Sequence, residues 1–73
     1  MSGYPETLLD MARRHVREGG VRVARQKEIV AALDRDTNYR SQATLAREIL
    51  ASLHTSLDLM ERHLRAIEAR SKT

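Results

Sequence analysis

The sequence contains no cysteine, no phenylalanine, no tryptophan and only one proline. Without cysteine, the chain forms no disulfide bond, no thiolate metal site and no cysteine nucleophile. No apolar run approaches the roughly 18 residues that span a bilayer, and the first residues lack the basic start and apolar stretch of a signal peptide. The polar residues mix acidic with basic side chains and include no large aromatic anchor for a membrane surface. We therefore expect a cytoplasmic protein that does not bind membranes.

The residues that are present favour one helical domain over residues 1–73. Hydrophobic residues make up 41% of the chain and charged residues 32%, and leucine and alanine occur nine times each. This composition favours helix over strand on intrinsic propensity. A chain of 73 residues also buries too small a fraction of its surface to support two independent cores. We expect a single all-α domain.

Two amphipathic segments are separated by a polar stretch that is rich in turn-forming residues. We predict a first helix over residues 5–35, a loop over 36–41 and a second helix over 42–70. Pro5 suits the first helical position, where its missing N–H is not needed.

The second helix has three candidate capping residues. Ser41 directly precedes the periodic segment, and its hydroxyl is of the type that accepts a hydrogen bond from the first helical amides. Asp36 and Thr37 are the alternatives, because their side chains have the same capping chemistry. The position of the helix start depends on which of the three is used.

A heptad repeat of apolar residues runs through both segments. Fourteen of its sixteen a and d positions are apolar, whereas a composition of 41% hydrophobic residues would place about six or seven there by chance. The repeat predicts one core stripe along each helix. The stripe positions are Leu9, Ala12, Val16, Gly19, Val23, Gln26, Val30 and Leu33 in the first segment, and Ala43, Ala46, Leu50, Leu53, Leu57, Met60, Leu64 and Ile67 in the second.

The short loop makes the two helices antiparallel neighbours, so we predict a two-helix hairpin with coiled-coil-like packing. The two stripes interlock in one register, in which Leu33 faces Ala43 at the loop end. In that register Arg13 lies beside Glu61 on one flank. Such a pair contributes about 0.2–1 kcal/mol when it is exposed.

On the opposite flank, at heptad g and c positions, lies a second row of apolar residues with two histidines. A hairpin buries little surface by itself, so we expect a second copy to cover this row in a homodimeric four-helix bundle. The alternatives are that the row widens the intramolecular core or that it binds another protein. This row, which we call the apolar strip, consists of Leu8, Met11, His15, Ile29, Ala32, Leu45, Ile49, Leu59 and His63.

Gly19 and Gly20 lie in the middle of the first helix, where each costs about 1 kcal/mol relative to alanine. Gly19 falls on the core stripe opposite Leu57, so one explanation is a close approach of the two helices. The other is a kink or a short break. The heptad phase is the same on both sides of the pair, which favours a continuous helix.

The three histidines are the candidates for metal binding or acid–base chemistry. His15 and His63 fall beside each other across the hairpin, whereas His54 has no evident partner. Zinc needs four ligands, and no acidic residue is obviously placed at the level of the two neighbouring histidines. Motifs for phosphate binding or nucleophilic catalysis are absent from the sequence. We expect no metal, no cofactor and no enzymatic activity, and we place the two histidines in the dimer interface.

Basic residues are concentrated in the first helix, where six of them stand between positions 13 and 27 against Glu18 alone. A solvated surface explains them, and so does sequence-independent binding of nucleic acid through phosphate contacts. Base recognition would need a dedicated motif or stacking aromatics, and the chain has only two tyrosines. The candidate phosphate contacts are Arg13, Arg14, Arg17, Arg25 and Lys27.

The runs HVREG at 15–19 and RQKEIV at 25–30 resemble those of short helical proteins of alphaproteobacteria that have no established activity. Leu57, Met60, His63 and Leu64 extend the resemblance into the second helix, while Gly20 departs from the pattern. The resemblance implies a bacterial helical hairpin and transfers no site.

The sequence thus predicts a structural or protein-interaction module that acts as a homodimer. The alternative is a nucleic-acid-binding protein that uses the basic face of the first helix.

Overall fold

A computed structural model describes residues 6–71, and Pro5, the predicted first helical residue, lies outside this range. Helix α1 spans Leu8–Asp34 and helix α2 spans Arg40–Ser71, with a 3-10 turn at Thr37–Tyr39 between them. No strand occurs within the described residues. The helices pack against each other along their length as a hairpin, which confirms the predicted all-α class and two-helix architecture.

Helix α1 begins later than predicted because Thr7 caps it. The Thr7 backbone is extended, and its hydroxyl accepts a hydrogen bond of 3.0 Å from the Asp10 amide. The Asp10 carboxylate in turn accepts a hydrogen bond of 3.4 Å from the Thr7 amide. This reciprocal capping box satisfies two backbone donors that would otherwise lack partners at the start of the helix. The carboxylate also meets the positive end of the helix macrodipole.

The connection between the helices is shorter than the predicted loop over 36–41. The Asp36 carboxylate accepts a hydrogen bond of 2.9 Å from the Asn38 amide and so caps the 3-10 turn. That turn continues directly into α2 at Arg40. Ser41 therefore lies inside α2, and the prediction that it caps the helix is wrong. Asp36 has the extended backbone of a capping residue, and it caps the 3-10 turn that leads into α2.

The predicted core stripe forms the contact between the helices. Each of its sixteen residues is buried or half-buried, and the six buried ones are Ala12, Gly19, Val23, Ala43, Ala46 and Ile67. Most of these are small, and no large side chain among the described residues is completely buried. The hairpin core is consequently a thin seam between two helices.

Helix α1 is continuous through both glycines, as the heptad phase predicted. A methyl group built on Gly19 would lie 3.1 Å from Leu57 Cδ1 and 3.4 Å from Met60 Sδ, so the helices come close at this point. Nothing lies within 4 Å of the corresponding position on Gly20. Close packing therefore explains Gly19, and nothing in the structure explains Gly20.

Gln26 is the polar side chain of the stripe, and it bridges the two helices. Its Nε2 donates a hydrogen bond of 2.9 Å to the Ala46 carbonyl oxygen of α2. The side chain is half-buried, and the bond satisfies a donor that the seam removes from water. A polar group at a core position favours the register in which it finds its partner.

Two ion pairs join the helices on the flank away from the apolar strip. Arg13 lies 3.8 Å from Glu68, and Arg47 pairs with Asp34. The predicted pair between Arg13 and Glu61 does not form. Side chains tilt toward the N-terminus of their own helix, so on antiparallel helices they tilt in opposite directions. Arg13 therefore pairs with Glu68, which lies one heptad beyond the predicted partner Glu61.

The hairpin is long and flat, with principal dimensions of 53 × 29 × 12 Å over its Cα atoms. A second layer of helices would not fit in the smallest dimension, because packed helix axes lie about 8–10 Å apart and the Cα atoms of each helix add a radius of about 2.3 Å on either side. Most stable domains have at least two packed layers around their core. Neither helix, within residues 6–71, has a stretch apolar enough to cross a lipid bilayer.

Candidate protein-interaction surface

The apolar strip lies on one broad face of the hairpin, and both helices contribute to it. Its six large apolar residues are between 38% and 60% exposed, with Met11 the least and Leu8 the most exposed. Ala32, His15 and His63 are exposed as well. The strip therefore does not widen the intramolecular core, which was one of the sequence-based alternatives. It is an apolar surface without a covering layer in the single chain.

The strip has two apolar ends and a polar middle. The end near the turn contains Ile29, Ala32, Leu45 and Ile49, and the end near the chain termini contains Leu8, Met11 and Leu59 with the two histidines. Between them the same g and c positions carry charged and small polar residues. These middle residues, all exposed, are Glu18, Arg22, Arg25, Ser52 and Ser56.

His15 and His63 lie on the walls of one open groove of about 330 Å³ at the terminal end of the strip. Leu59 completes the walls, and Ala12 and Met60 of the core stripe form the floor. The surroundings of the two imidazoles are thus mainly apolar. Within residues 6–71, no three histidine or acidic side chains come together in a way that would hold a metal ion.

The basic face of α1 is partly neutralised by its own helix and by the chain before it. Arg14 donates hydrogen bonds of 2.9 and 3.1 Å to the two carboxylate oxygens of Glu6, and one of 3.3 Å to Glu18. These bonds lower the pKa of the Glu6 carboxyl and raise the pKa of the Arg14 guanidinium. With Arg13 paired to Glu68, two of the five candidate phosphate contacts are already engaged.

The remaining candidates, Arg17, Arg25 and Lys27, form no ion pair with any described residue. Arg17 and Arg25 line an open groove of about 460 Å³ together with Glu18, Val21 and Arg22. Val21 is 59% exposed and lies between the two arginines at helical spacing.

Sequence reasoning did not include Val21 or Arg22 in a site. The i, i+4 spacing that joins Arg17, Val21 and Arg25 was the signal that would have placed the valine on this face.

No family model, no curated protein and no solved structure matches this chain. The resemblance to short alphaproteobacterial proteins consequently stays a prediction.

Proposed function

We propose that this chain is a non-enzymatic, cytoplasmic structural or protein-interaction module that acts as a homodimer. The observation that carries the proposal is the exposed apolar strip on a hairpin that is only one helix layer thick. Exposed apolar patches such as the two ends of this strip usually mark an interaction site, and closed two-fold dimers are the commonest assembly of soluble proteins. A second hairpin on the strip would provide the second layer of a four-helix bundle.

The surface area of the chain supports this proposal. The accessible surface is 5938 Å² for a chain of 8.3 kDa. A compact monomer of this mass is expected to expose about 4,600 Å². The excess is larger than the roughly 800 Å² that each partner buries in a standard protein–protein interface. A dimer interface of that size would remove more than half of the excess surface of each chain.

Light scattering at micromolar concentration tests the dimer. We expect twice the 8.3 kDa chain mass for the wild-type protein and the mass of one chain for Ile49→Glu, because the new carboxylate would be buried without a partner. Val21→Glu is the matched control, since Val21 is also an exposed apolar residue and lies outside the strip. A wild-type chain that stays helical and monomeric under these conditions would refute the proposal.

A second candidate function is sequence-independent nucleic-acid binding, which is favoured by the unpaired Arg17, Arg25 and Lys27 on one face of α1. We expect Arg17→Ala with Arg25→Ala to weaken a gel shift measured at about 50 mM salt, and the affinity to fall steeply as salt is added. Arg13→Ala with Arg14→Ala is the matched control, because both of these side chains already have acidic partners. The absence of any shift with micromolar wild-type protein excludes this function.

A further inference from the structure

The polar middle of the apolar strip contains opposite charges at positions that are symmetric along α1. Glu18 and Arg22 stand one helical turn apart, and the apolar residues Met11 and Ile29 lie at equal distances on either side of them. Leu8 and Ala32 repeat the symmetry one turn further out. A two-fold dimer requires a self-complementary surface of this kind, because every contact between two residues then occurs twice.

Resting on the homodimer proposed above, we infer that the two hairpins pack face to face and antiparallel, so that Glu18 of one protomer pairs with Arg22 of the partner subunit. In this arrangement the turn of each hairpin lies over the chain ends of the other. The two-fold axis runs across the hairpins, and α1 packs on α1 of the partner while α2 packs on α2.

The pairing on α1 combines charge with size complementarity. With Glu18 opposite the partner's Arg22, the repeat brings Met11 opposite the partner's Ile29 and Leu8 opposite the partner's Ala32. Arg22 has no ion pair with any described residue of its own chain, so it is available to this partner. Glu18 is bound to Arg14 through one oxygen, at 3.3 Å, which leaves its second oxygen to accept from the partner.

On α2 the pairing is complementary in size at two levels, whereas Ile49 faces the partner's His63. Ser56 lies level with the middle of α1 in the hairpin register and therefore falls on the two-fold axis, where a small side chain lets the helices approach. On either side, Leu59 faces the partner's Ser52 and Leu45 faces the partner's Ala66. Large side chains opposite small ones are the condition for interlocking layers at native packing density.

The other face-to-face arrangement has its two-fold axis along the hairpins and lacks this charge complementarity. It packs α1 on α2 of the partner at the same level, so the carboxylate of Glu18 lies against the partner's Leu59. Arg22 then faces Ser56 of the partner subunit and meets no acidic group, whereas Arg25 faces a non-acidic residue in both arrangements, Ser52 of the partner subunit here and His15 of the partner subunit in the antiparallel one. Burying such unpaired charges is costly, which favours the antiparallel arrangement.

Because the chain has no cysteine, single cysteines report the arrangement without interference. Ser56→Cys is expected to form a disulfide-linked dimer on oxidation, whereas Thr55→Cys, on the outer face of α2, is the control that does not. Mixing Met11→Cys with Ile29→Cys chains is expected to give a linked heterodimer, although neither variant links to itself. In the antiparallel dimer, two copies of the same variant hold their sulfurs about 27 Å apart along the axis.

Charge exchange tests the ion pair separately. Arg22→Glu is expected to weaken dimerisation about tenfold because it brings carboxylates together across the interface, and combining it with Glu18→Arg should restore the wild-type affinity. Arg17→Glu, the same change outside the strip, is expected to leave the affinity unchanged. Sedimentation equilibrium measures all three variants and the wild type.

The outcomes separate this inference from the function on which it rests. A dimer in which Ser56→Cys does not link to itself and Met11→Cys does not link to Ile29→Cys, or in which the double charge exchange fails to restore affinity, overturns the antiparallel arrangement and leaves the homodimer intact. A wild-type chain of single mass overturns both. A dimer with the expected links and the expected rescue supports both.

Discussion

Gly19 lies so close to Leu57 that a methyl group on the glycine would come within 3.1 Å of Leu57 Cδ1. That separation is shorter than an ordinary van der Waals contact, so a side chain at this position forces the leucine to shift. The neighbouring Gly20 has open space in the same direction. Two adjacent glycines of one helix therefore differ in whether the packing requires them.

This difference predicts unequal gains in stability for the two alanine substitutions. Gly20→Ala should raise the free energy of unfolding by about 1 kcal/mol through helix propensity alone. Gly19→Ala should gain less, because the displaced Leu57 offsets the propensity term. Urea unfolding followed by circular dichroism, at one fixed chain concentration, measures both variants. Equal gains would show that the close approach has no energetic effect.

Gly20 also lies on the flank of α1 that forms ion pairs with α2, at a position where the chain has no charged side chain. Arg13 pairs with Glu68 and Asp34 pairs with Arg47 through the same offset between the helices. One heptad along from Arg13, this offset brings Gly20 opposite Glu61, a half-buried carboxylate with no ion pair among the described residues.

Gly20→Arg should therefore stabilise the hairpin beyond the gain from Gly20→Ala, by about 0.2–1 kcal/mol for a surface pair. A double-mutant cycle with Glu61→Gln isolates the interaction from helix propensity. The added stability should disappear in the Glu61→Gln background and at high salt. A gain that is the same with and without Glu61 would assign the whole effect to propensity.

The seam was predictable from the sequence, whereas the pairing on its flank was not. Apolar periodicity identified all sixteen seam positions because burial depends on which face a residue occupies. The partner of Arg13 depends on the direction in which side chains tilt, and a register that aligns only Cα positions misses it. The start of α2 also depends on the backbone conformation. Capping chemistry alone does not distinguish Asp36, Thr37 and Ser41, and the extended backbone at Asp36 makes it the capping residue of the turn before α2.

The sequence predicted which residues form the apolar strip, but it did not predict that they are exposed to solvent. Heptad positions placed the apolar strip on one flank, but periodicity does not show whether a flank residue reaches the seam. The structure leaves Ile29 and Ile49 more than two-fifths exposed, which removes the intramolecular alternative. The sequence analysis did not identify Val21, because a single valine among arginines adds little to the apolar periodicity.

Replacing the hydrogen-bond donor of Gln26 by a carboxylate should cause a pH-dependent loss of stability. Its Nε2 donates to the Ala46 carbonyl oxygen, so Gln26→Glu would place a carboxylate against an acceptor in the half-buried seam. We expect stability to fall by about 1–3 kcal/mol at neutral pH. The pKa of the new carboxyl should be raised in the folded state, so protonation at lower pH should recover part of the loss.

Gln26→Leu is the control for that experiment, because it removes the hydrogen bond without adding charge. Its stability should stay close to that of the wild type, because the Ala46 carbonyl oxygen still lies inside the hydrogen-bonded helix α2 and the leucine adds apolar burial to the seam. Its unfolding should not acquire a new dependence on pH. Thermal unfolding across a pH series, read by circular dichroism, compares the three proteins.

Glu6 and Arg14 predict a titration that stabilises the start of α1 above acidic pH. Arg14 donates hydrogen bonds to the Glu6 carboxylate, and this lowers the pKa of Glu6 in the folded chain. A depressed carboxyl pKa favours folding at pH values above its ordinary range, and that contribution is lost as the pH falls through the folded-state pKa. Arg14→Gln should return the Glu6 pKa toward its ordinary value, as measured by an NMR titration of the side-chain carboxyl carbon.

Arg13→Gln is the matched control for Arg14→Gln, because Arg13 is directed to Glu68 rather than to Glu6. It should leave the Glu6 titration unchanged. A Glu6 pKa that is insensitive to Arg14→Gln would mean that the bidentate pair is not maintained in solution. In that case Arg14 would be as available to phosphate groups as Arg17, and removing Arg14 should then weaken any nucleic-acid binding as strongly as removing Arg17.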